Sequence, residues 1–243
     1  MEKLDLFLEG RTKRLYRTDD ENFLILEFKD NATAFDGQKK GKIEGKGAIN
    51  NQISSHLFKY LESHHVATHF DRSVSPTEML VKKVEIIPIE VVVRNVVSGR
   101  MVTLYGRKEG EELKCPVLEY YLKDNSLSDP MINESHIMAF ELAEAEEIKA
   151  LSRIARKVNV ILRPFFDRRE LLLVDLKLEF GRHKNYLLVA DEISPDTCRI
   201  WDKKSKKKLD RDRFRKDMGG VKDAYQEVLT RIVGAESSQS VIT

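Results

Sequence analysis

In the run Leu171-Leu172-Leu173-Val174-Asp175-Leu176-Lys177-Leu178-Glu179-Phe180, charged and apolar residues alternate with a period of two from Asp175 on. An extended backbone therefore projects Asp175, Lys177 and Glu179 to one face and only apolar side chains to the other. A second apolar run, residues 186–193, contains Asp191. Closing the two as a regular hairpin through the five residues 181–185 sets Glu179 opposite Leu187 and Asp175 opposite Asp191. Three carboxylates and one ammonium then share a face. Carboxylates facing each other across a sheet repel, so this arrangement needs a solvent-facing sheet or a cation between them. Magnesium suits such a set, since it takes oxygen ligands and is held by one or two carboxylates plus water and nucleotide phosphates. An ordinary exposed sheet face, with a lysine between two acids, accounts for the spacing equally well.

Three further stretches carry chemistry. Glu9-Gly10-Arg11-Thr12-Lys13 lies between two strand-like runs and offers backbone amides and basic side chains to phosphates. A plain hairpin turn is the alternative, and the stretch is neither a Walker A loop nor a dinucleotide fingerprint. Arg94 interrupts the apolar run 91–97, which calls for a strand end, an anionic ligand or a structural ion pair. Arg199 follows a turn after the second acidic strand and is poised in the same way. The basic run 203–208 invites a nucleic-acid reading, but acids and bases alternate immediately after it, as on a solvated loop. The six histidines show no metal or triad spacing and are given no catalytic role.

These residues need a scaffold. Strand-like alternation over 6–29 is punctuated by Glu9-Gly10 and Thr18-Asp19-Asp20, an antiparallel opening. A polar, glycine-bearing stretch, 30–47, precedes a helix with Ile53, Leu57, Phe58 and Leu61 on its buried face. Strands are expected over 78–84 and 89–97, with the segment around Pro88 crossing between lobes, and loops over 98–132. A long helix is expected from about Asn133, ended or kinked by Pro164. The last helix, 211–233, turns Val221, Tyr225, Val228, Leu229 and Ile232 inward, with a possible break at Gly219-Gly220, before a loosely held tail, 235–243.

With 243 residues, 41% of them hydrophobic, the chain can bury one sizeable core or two lobes sharing an interface. Its 42 basic and 40 acidic residues leave a charge of +2, which excludes a general electrostatic pull toward nucleic acid or anionic membrane. Cys115 and Cys198 lack disulfide or zinc spacing, and no apolar run suggests a signal peptide or membrane span, so a cytoplasmic, unprocessed chain is expected.

Taken in order, Glu9 to Lys13, Asn31-Ala32-Thr33-Ala34-Phe35-Asp36-Gly37, Ile43-Glu44-Gly45-Lys46-Gly47, Asn50-Asn51-Gln52 and the stretches 88–95, 173–181 and 190–202 resemble the SAICAR synthetase (phosphoribosylaminoimidazole-succinocarboxamide synthase) family. The match runs over residues 8–233. The resemblance implies an α+β, two-lobed, ATP-grasp-like fold, with a β-rich nucleotide-covering lobe (1–86) and an α+β lobe carrying the metal and substrate site (87–243). It also implies a homodimer and an amide ligation in purine biosynthesis, in which ATP, a carboxylated aminoimidazole ribonucleotide and L-aspartate give the succinocarboxamide, ADP and phosphate.

On the same resemblance, Gly10, Arg11, Thr12 and Lys13 would cover the ATP phosphates. Leu15 would also belong to the ATP site, and Lys82 to Ile86 would line the adenine pocket. Glu179 and Asp191 would reach ATP through Mg2+, with Glu44 a candidate for a second metal. Arg94, Ser98, Arg100 and Arg199 would serve anionic groups of the ribonucleotide, Asp129 would help admit aspartate, and Asp36, Asp175 and Lys177 would border the reacting centre.

Three departures stand out. Arg11 occupies a position where the family usually has lysine. Val97-Ser98-Gly99-Arg100 replaces a common Ala-Ala-Gly-Ser, so Arg100 either strengthens phosphate binding or turns outward and leaves Ser98 to substitute. Pro164 sits in an otherwise helical region. The competing classes are a small-molecule kinase on a related clamp, which would need a hydroxyl acceptor, and a non-catalytic nucleotide- or RNA-binding module, for which the 203–208 run is the only support.

Overall fold

In the computed structural model, which describes residues 1–34 and 38–234, the chain opens with β1 (Lys3–Glu9), β2 (Lys13–Thr18) and β3 (Phe23–Phe28). A ribbon of β4 (Asn31–Ala34) and β5 (Lys39–Lys42) follows, then α1 (Lys46–Ser63), β6 (Phe70–Ser75) and β7 (Glu78–Lys82). Five of these strands form an antiparallel sheet in the order β1-β2-β3-β7-β6. The expected site residue Asp36 and the tail 235–243 lie outside the described residues.

The start of α1 is fixed tightly. Asp30 accepts the backbone N–H groups of Gly45 (3.2 Å) and Gly47 (3.0 Å), which meets part of the helix's unpaired donor set. Gly47 is needed for close approach, because a Cβ there would lie 2.5 Å from the Phe28 carbonyl oxygen. Ile53, Leu57, Phe58 and Leu61 are fully buried, as their spacing requires.

The second sheet is built from β8 (Glu85–Val96), β9 (Glu112–Leu122), β10 (Met131–Ile132), β11 (Leu171–His183), β12 (Tyr186–Ala190) and β13 (Cys198–Asp202). Its order is β10-β9-β8-β11-β12, with β13 also on β11. The helices of this part are α2 (Arg100–Tyr105), α3 (Glu134–Ala139), α4 (Ala145–Asp167), α5 (Asp212–Arg215) and α6 (Val221–Val233). One apolar cluster runs from the first sheet through α1 to the second sheet, α4 and α6, giving the α+β class expected from the sequence.

Several expectations are corrected. Pro88 lies inside β8 rather than in a crossing; only Lys83 and Val84 join the two sheets. The segment 98–132 is not mainly loop, since it holds β9, whose first half mixes exposed and half-buried residues and contains Pro116, so no clean alternation marks it. Asn133 caps the short α3, accepting the His136 N–H at 3.0 Å, and the long helix starts separately at Ala145. Pro164 does not end that helix, which runs on past it to Asp167. The helix expected over 211–233 is interrupted over more than its two glycines: α5 ends at Arg215 and α6 starts at Val221, just after Gly219-Gly220, both in the left-handed region at φ 66° and 56°.

The hairpin register also differs. β11 runs on through Gly181-Arg182-His183, the turn is only Lys184-Asn185, and Glu179 pairs with Ala190. Asp175 therefore does not face Asp191; it lies between Arg94 of β8 and Arg199 of β13. The polar residues 181–183 belong to the strand for identifiable reasons. Arg182 is held by Glu147 at 2.6 Å, and a Cβ at position 181 would come within 2.6 Å of the Val84 Cβ.

A bulge between Leu173 and Asp175 resets the alternation. Leu171 and Leu173 face the main core, as do Leu176, Leu178 and Phe180 after a step of three. Val174 joins Val96 and Trp201 in a small cluster of its own, with Leu172 packed against it.

Candidate active site

The face of β11 opposite the core forms the floor of a cleft of about 600 Å3. Asp175, Lys177 and Glu179 line it together with Glu90, Val92 and Arg94 of β8 and Tyr121 of β9. The β1–β2 turn contributes Arg11, Thr12 and Lys13, and the connection after β12 contributes Asp191, Glu192 and Asp196.

One end of the cleft alternates acids with lysines. Lys177 Nζ donates to Glu90 (2.5 Å) and Glu179 (2.7 Å), and Lys123 donates to the other Glu179 oxygen. Lys13 donates to Glu192 at 2.7 Å and to Asp191. Burial alone would strip the charge from Lys13 and Lys177, but the surrounding carboxylates hold both well above the ordinary lysine value. Burial would likewise protonate Glu179, and Lys177, Lys123 and Lys13 overcome it and keep the carboxyl far below its usual range. Asp191 sits at φ 64°, and its carbonyl accepts from His69 Nε2 at 3.1 Å. Burial pushes the His69 imidazole down to about 4, so the ring is a neutral strut under this turn.

The other end is built on guanidiniums. Asp175 Oδ2 accepts from Arg94 Nη1 (2.9 Å), Arg199 Nη1 (2.8 Å) and Ser98 Oγ (2.9 Å). Arg94 also donates to Glu119 (2.6 Å) and Tyr121 (3.2 Å), and Arg199 to Asp212 (2.9 Å). Burial would raise the Asp175 carboxyl, yet Arg199 and Arg94 hold it below its ordinary value. The Tyr121 hydroxyl is pushed up to about 12, chiefly by burial.

A loop closes over the floor. The Arg11 guanidinium donates to the Asn125 side chain, which ties the β1–β2 turn to the segment after β9. Asp129, on the same segment, lines the cleft, and its carboxyl is raised by burial and by Glu90.

Arg100, expected either to strengthen phosphate binding or to turn outward, is placed at the rim of the cleft. It lines the cleft, yet it donates to the Ser128 and Asp129 carbonyls at 2.9 Å each and lies 5.5 Å over the Tyr121 ring. Ser98 is fully buried with its hydroxyl committed to Asp175, so it is in no position to replace a phosphate-binding serine.

Several expected residues lie off the cleft lining. The Gly10 N–H closes the turn onto the Lys13 carbonyl at 2.9 Å, and Leu15 packs against the core. Lys82 Nζ donates to the Thr68 carbonyl (3.2 Å), while Ile86 is exposed beside Gly181. Glu44 is exposed between β5 and α1 and does not join Glu179 and Asp191. Among the described residues, no three His, Cys, Asp or Glu side chains converge as a ready-made metal cage.

Sequence reasoning passed over Glu90, Lys123, Glu192, Asp196, Arg211 and Arg215, which also line the cleft. Glu90 was reachable, since it shares the Arg94 face of β8 with Val92 between them; the two arginines lie in a charge-alternating run that reads as surface. The basic run stays a solvated turn, with Lys203 paired to Asp167 (2.6 Å) and Lys208 to Glu109 (2.8 Å).

Comparison with known proteins gives a consistent result. The family model described as SAICAR synthetase matches residues 6–232. The chain is 53% identical over 233 residues to phosphoribosylaminoimidazole-succinocarboxamide synthase of Coprothermobacter proteolyticus, covering 96% of this chain and 99% of the relative. It is 50% identical over 234 residues to the enzyme of that name from Clostridium acetobutylicum, covering 96% and 100%. Among solved structures, that of phosphoribosylaminoimidazole-succinocarboxamide synthase from Ehrlichia chaffeensis superposes with a TM-score of 0.93 at 40% identity, covering 95% of this chain and 99% of the other. A SAICAR synthetase in complex with ADP superposes with a TM-score of 0.91 at 46% identity, covering 94% and 97%.

Proposed function

The chain belongs to the SAICAR synthetase family, and from that premise we propose that its cleft joins L-aspartate to 5-amino-4-carboxyimidazole ribonucleotide, an ATP-dependent carbon–nitrogen ligation of purine biosynthesis. The observation that carries this reading is the division of one cleft into an acid-and-lysine end and a guanidinium end. The first suits a nucleotide triphosphate with its cation, the second the anionic groups of a ribonucleotide and an amino acid.

The reaction needs ATP because a carboxylate resists attack by an amine. Transfer of the γ-phosphoryl group to the substrate carboxylate releases ADP and gives an acyl phosphate. The aspartate nitrogen then attacks the acyl carbon, the carbon–oxygen bond to phosphate breaks, and the amine gives up its proton. Catalysis of such a transfer is mainly positioning and charge neutralisation. Lys13 and the Arg11-Thr12 turn would bind the ATP phosphates, and Lys177, held charged between Glu90 and Glu179, would neutralise charge where the phosphoryl group moves. Asp175, held ionised by three donors, would position Arg94 and Arg199 rather than accept a proton. Glu179 and Asp191 supply the hard oxygen ligands that fit Mg2+, which when bound adds positive charge at the phosphates. Asp129 would help admit aspartate.

The short Lys83-Val84 passage between the sheets supports a division near residue 86, with 1–86 covering the nucleotide and 87–243 carrying the metal and substrate site. Family likeness supports a cytoplasmic homodimer, and light scattering at twice 28.1 kDa tests the dimer. No helix among the described residues is long and apolar enough to cross a membrane.

The test is ADP release with ATP, magnesium and the ribonucleotide, with and without L-aspartate, beside Asp191→Ala. Release that needs both co-substrates and collapses in the variant is expected. ADP formed without aspartate would move the chain to the kinase class.

A further inference from the structure

We infer that Arg211 is a specificity-determining anion receptor of this cleft, its guanidinium taking, with Arg215 beside it, an oxyanion carried by one of the two non-nucleotide substrates. The inference rests on the ligase reading above and deepens it.

Pairing singles Arg211 out. Arg94, Arg199 and Arg215 are each committed to carboxylates, Arg215 to Asp212 at 3.2 Å. The lysines of the opposite end are committed as well, and Arg100 is spent on carbonyls. Arg211 also lines the cleft, yet among the described residues its guanidinium has no hydrogen-bond or ion-pair partner. Its backbone, in contrast, is fixed: the Arg211 N–H donates to the Pro195 carbonyl at 3.1 Å, and its carbonyl accepts from the Arg215 N–H at 3.1 Å. The residue is therefore held in place while its charged group stays available.

The local charge balance points the same way. Arg94, Arg199 and Arg215 pair with Asp175, Glu119 and Asp212, and the carboxylate on which the Arg211 charge acts, Asp196, is already held by Lys46, so with these pairs made one guanidinium is left in excess. The strain registers on Arg215, which burial and then the charges of Arg211 and Arg199 push down to about 10. An incoming anion would relieve that repulsion. A guanidinium's planar fork matches phosphate and carboxylate oxygens alike, and the substrates offer both, a ribonucleotide 5′-phosphate and the aspartate carboxylates.

The experiment compares wild type, Arg211→Met and Arg211→Lys in steady state, varying the ribonucleotide and aspartate separately. Arg211→Met is expected to raise one KM by about 10- to 100-fold, the scale of one charge-assisted contact, with kcat little changed and Arg211→Lys recovering part of the loss. A rise confined to the ribonucleotide assigns the phosphate, and one confined to aspartate assigns a carboxylate; either supports the inference. Unchanged values for both, or a fall in kcat alone, overturns it. If wild type releases ADP without needing aspartate, the ligase reading fails instead. Arg211 is then judged by thermal stabilisation with inorganic phosphate or succinate. Stabilisation lost in Arg211→Met supports an anion receptor, and the same response in both proteins, or none in wild type, overturns it.

Discussion

Replacing Asp175 by alanine removes the carboxylate on which three donors converge, and the structure allows the cost to be worked out. Asp175 is 3% exposed, and its Oδ2 accepts from Arg94, Arg199 and Ser98 at 2.8–2.9 Å. Breaking a buried ion pair from one side costs about 3–5 kcal/mol. Both arginines keep a second carboxylate, Glu119 and Asp212, which favours the lower figure. The fully buried Ser98 hydroxyl loses its acceptor and adds about 1 kcal/mol or more. A loss of about 4 kcal/mol is therefore expected, or roughly 8–16 °C in Tm for a chain of this size. Asp175→Asn keeps the shape and one acceptor oxygen but no charge, and should lose about half as much. Urea unfolding monitored at Trp201 measures this as a lower midpoint at unchanged slope. Since Asp175 has a depressed carboxyl, its contribution is present above the unfolded value of about 3.9 and lost as pH falls through the folded one. The gap between wild type and Asp175→Asn should therefore hold from pH 5 to 8 and close in acid. A folded Asp175→Ala protein with the wild-type midpoint would refute the reasoning.

Gly47→Ala should destabilise by about 1–3 kcal/mol in the same assay, since the new Cβ would lie 2.5 Å from the Phe28 carbonyl oxygen; an unchanged midpoint would mean that α1 can shift away from β3. The Asp210 carboxyl, pushed up to about 7 by burial and then by Asp212, binds its proton more tightly folded than unfolded. Stability from it is full below about pH 4 and declines as pH rises through 7, so Asp210→Asn should gain on wild type by on the order of 2 kcal/mol between pH 5 and 8. A flat difference across that range would contradict this. The His69 ring should titrate near 4 by NMR, because burial disfavours its charged form, and an ordinary value near 6.5 would show that water reaches it.

Local pattern carried much of the fold. The three-to-five spacing of Ile53, Leu57, Phe58 and Leu61 identified α1, and the doubled glycine marked the break before α6. Pattern failed where burial changes along an element. β9 is only partly buried along its first seven residues and so never alternates cleanly, and Gly181-Arg182-His183 looks like a loop because its polar residues are satisfied by Glu147 and Glu85 from distant parts of the chain. The same distant partners extend the hairpin, pairing residues 181–183 with 186–188 and shifting the register away from the one a five-residue turn would set.

The cleft shows the same limit more sharply. Alternation within β11 was enough to put Asp175, Lys177 and Glu179 on one face, since that depends only on backbone geometry. Which charge answers which is a different matter. Asp175 meets partners 81 and 24 residues away, and Lys13 meets acids 178 and 179 residues away. Separations of that size leave no trace in spacing, so the repulsion expected between facing carboxylates proved to be a repulsion between residues that never face each other. The cations that quiet this face, Lys13, Lys123 and Lys177, come from three separate segments. Each is already paired, so a polyanionic substrate entering this end must exchange partners with carboxylates rather than neutralise bare charge. Binding there should consequently be modest without a divalent cation to take over the acids, which ties nucleotide affinity to magnesium more strongly than the lysines alone would suggest.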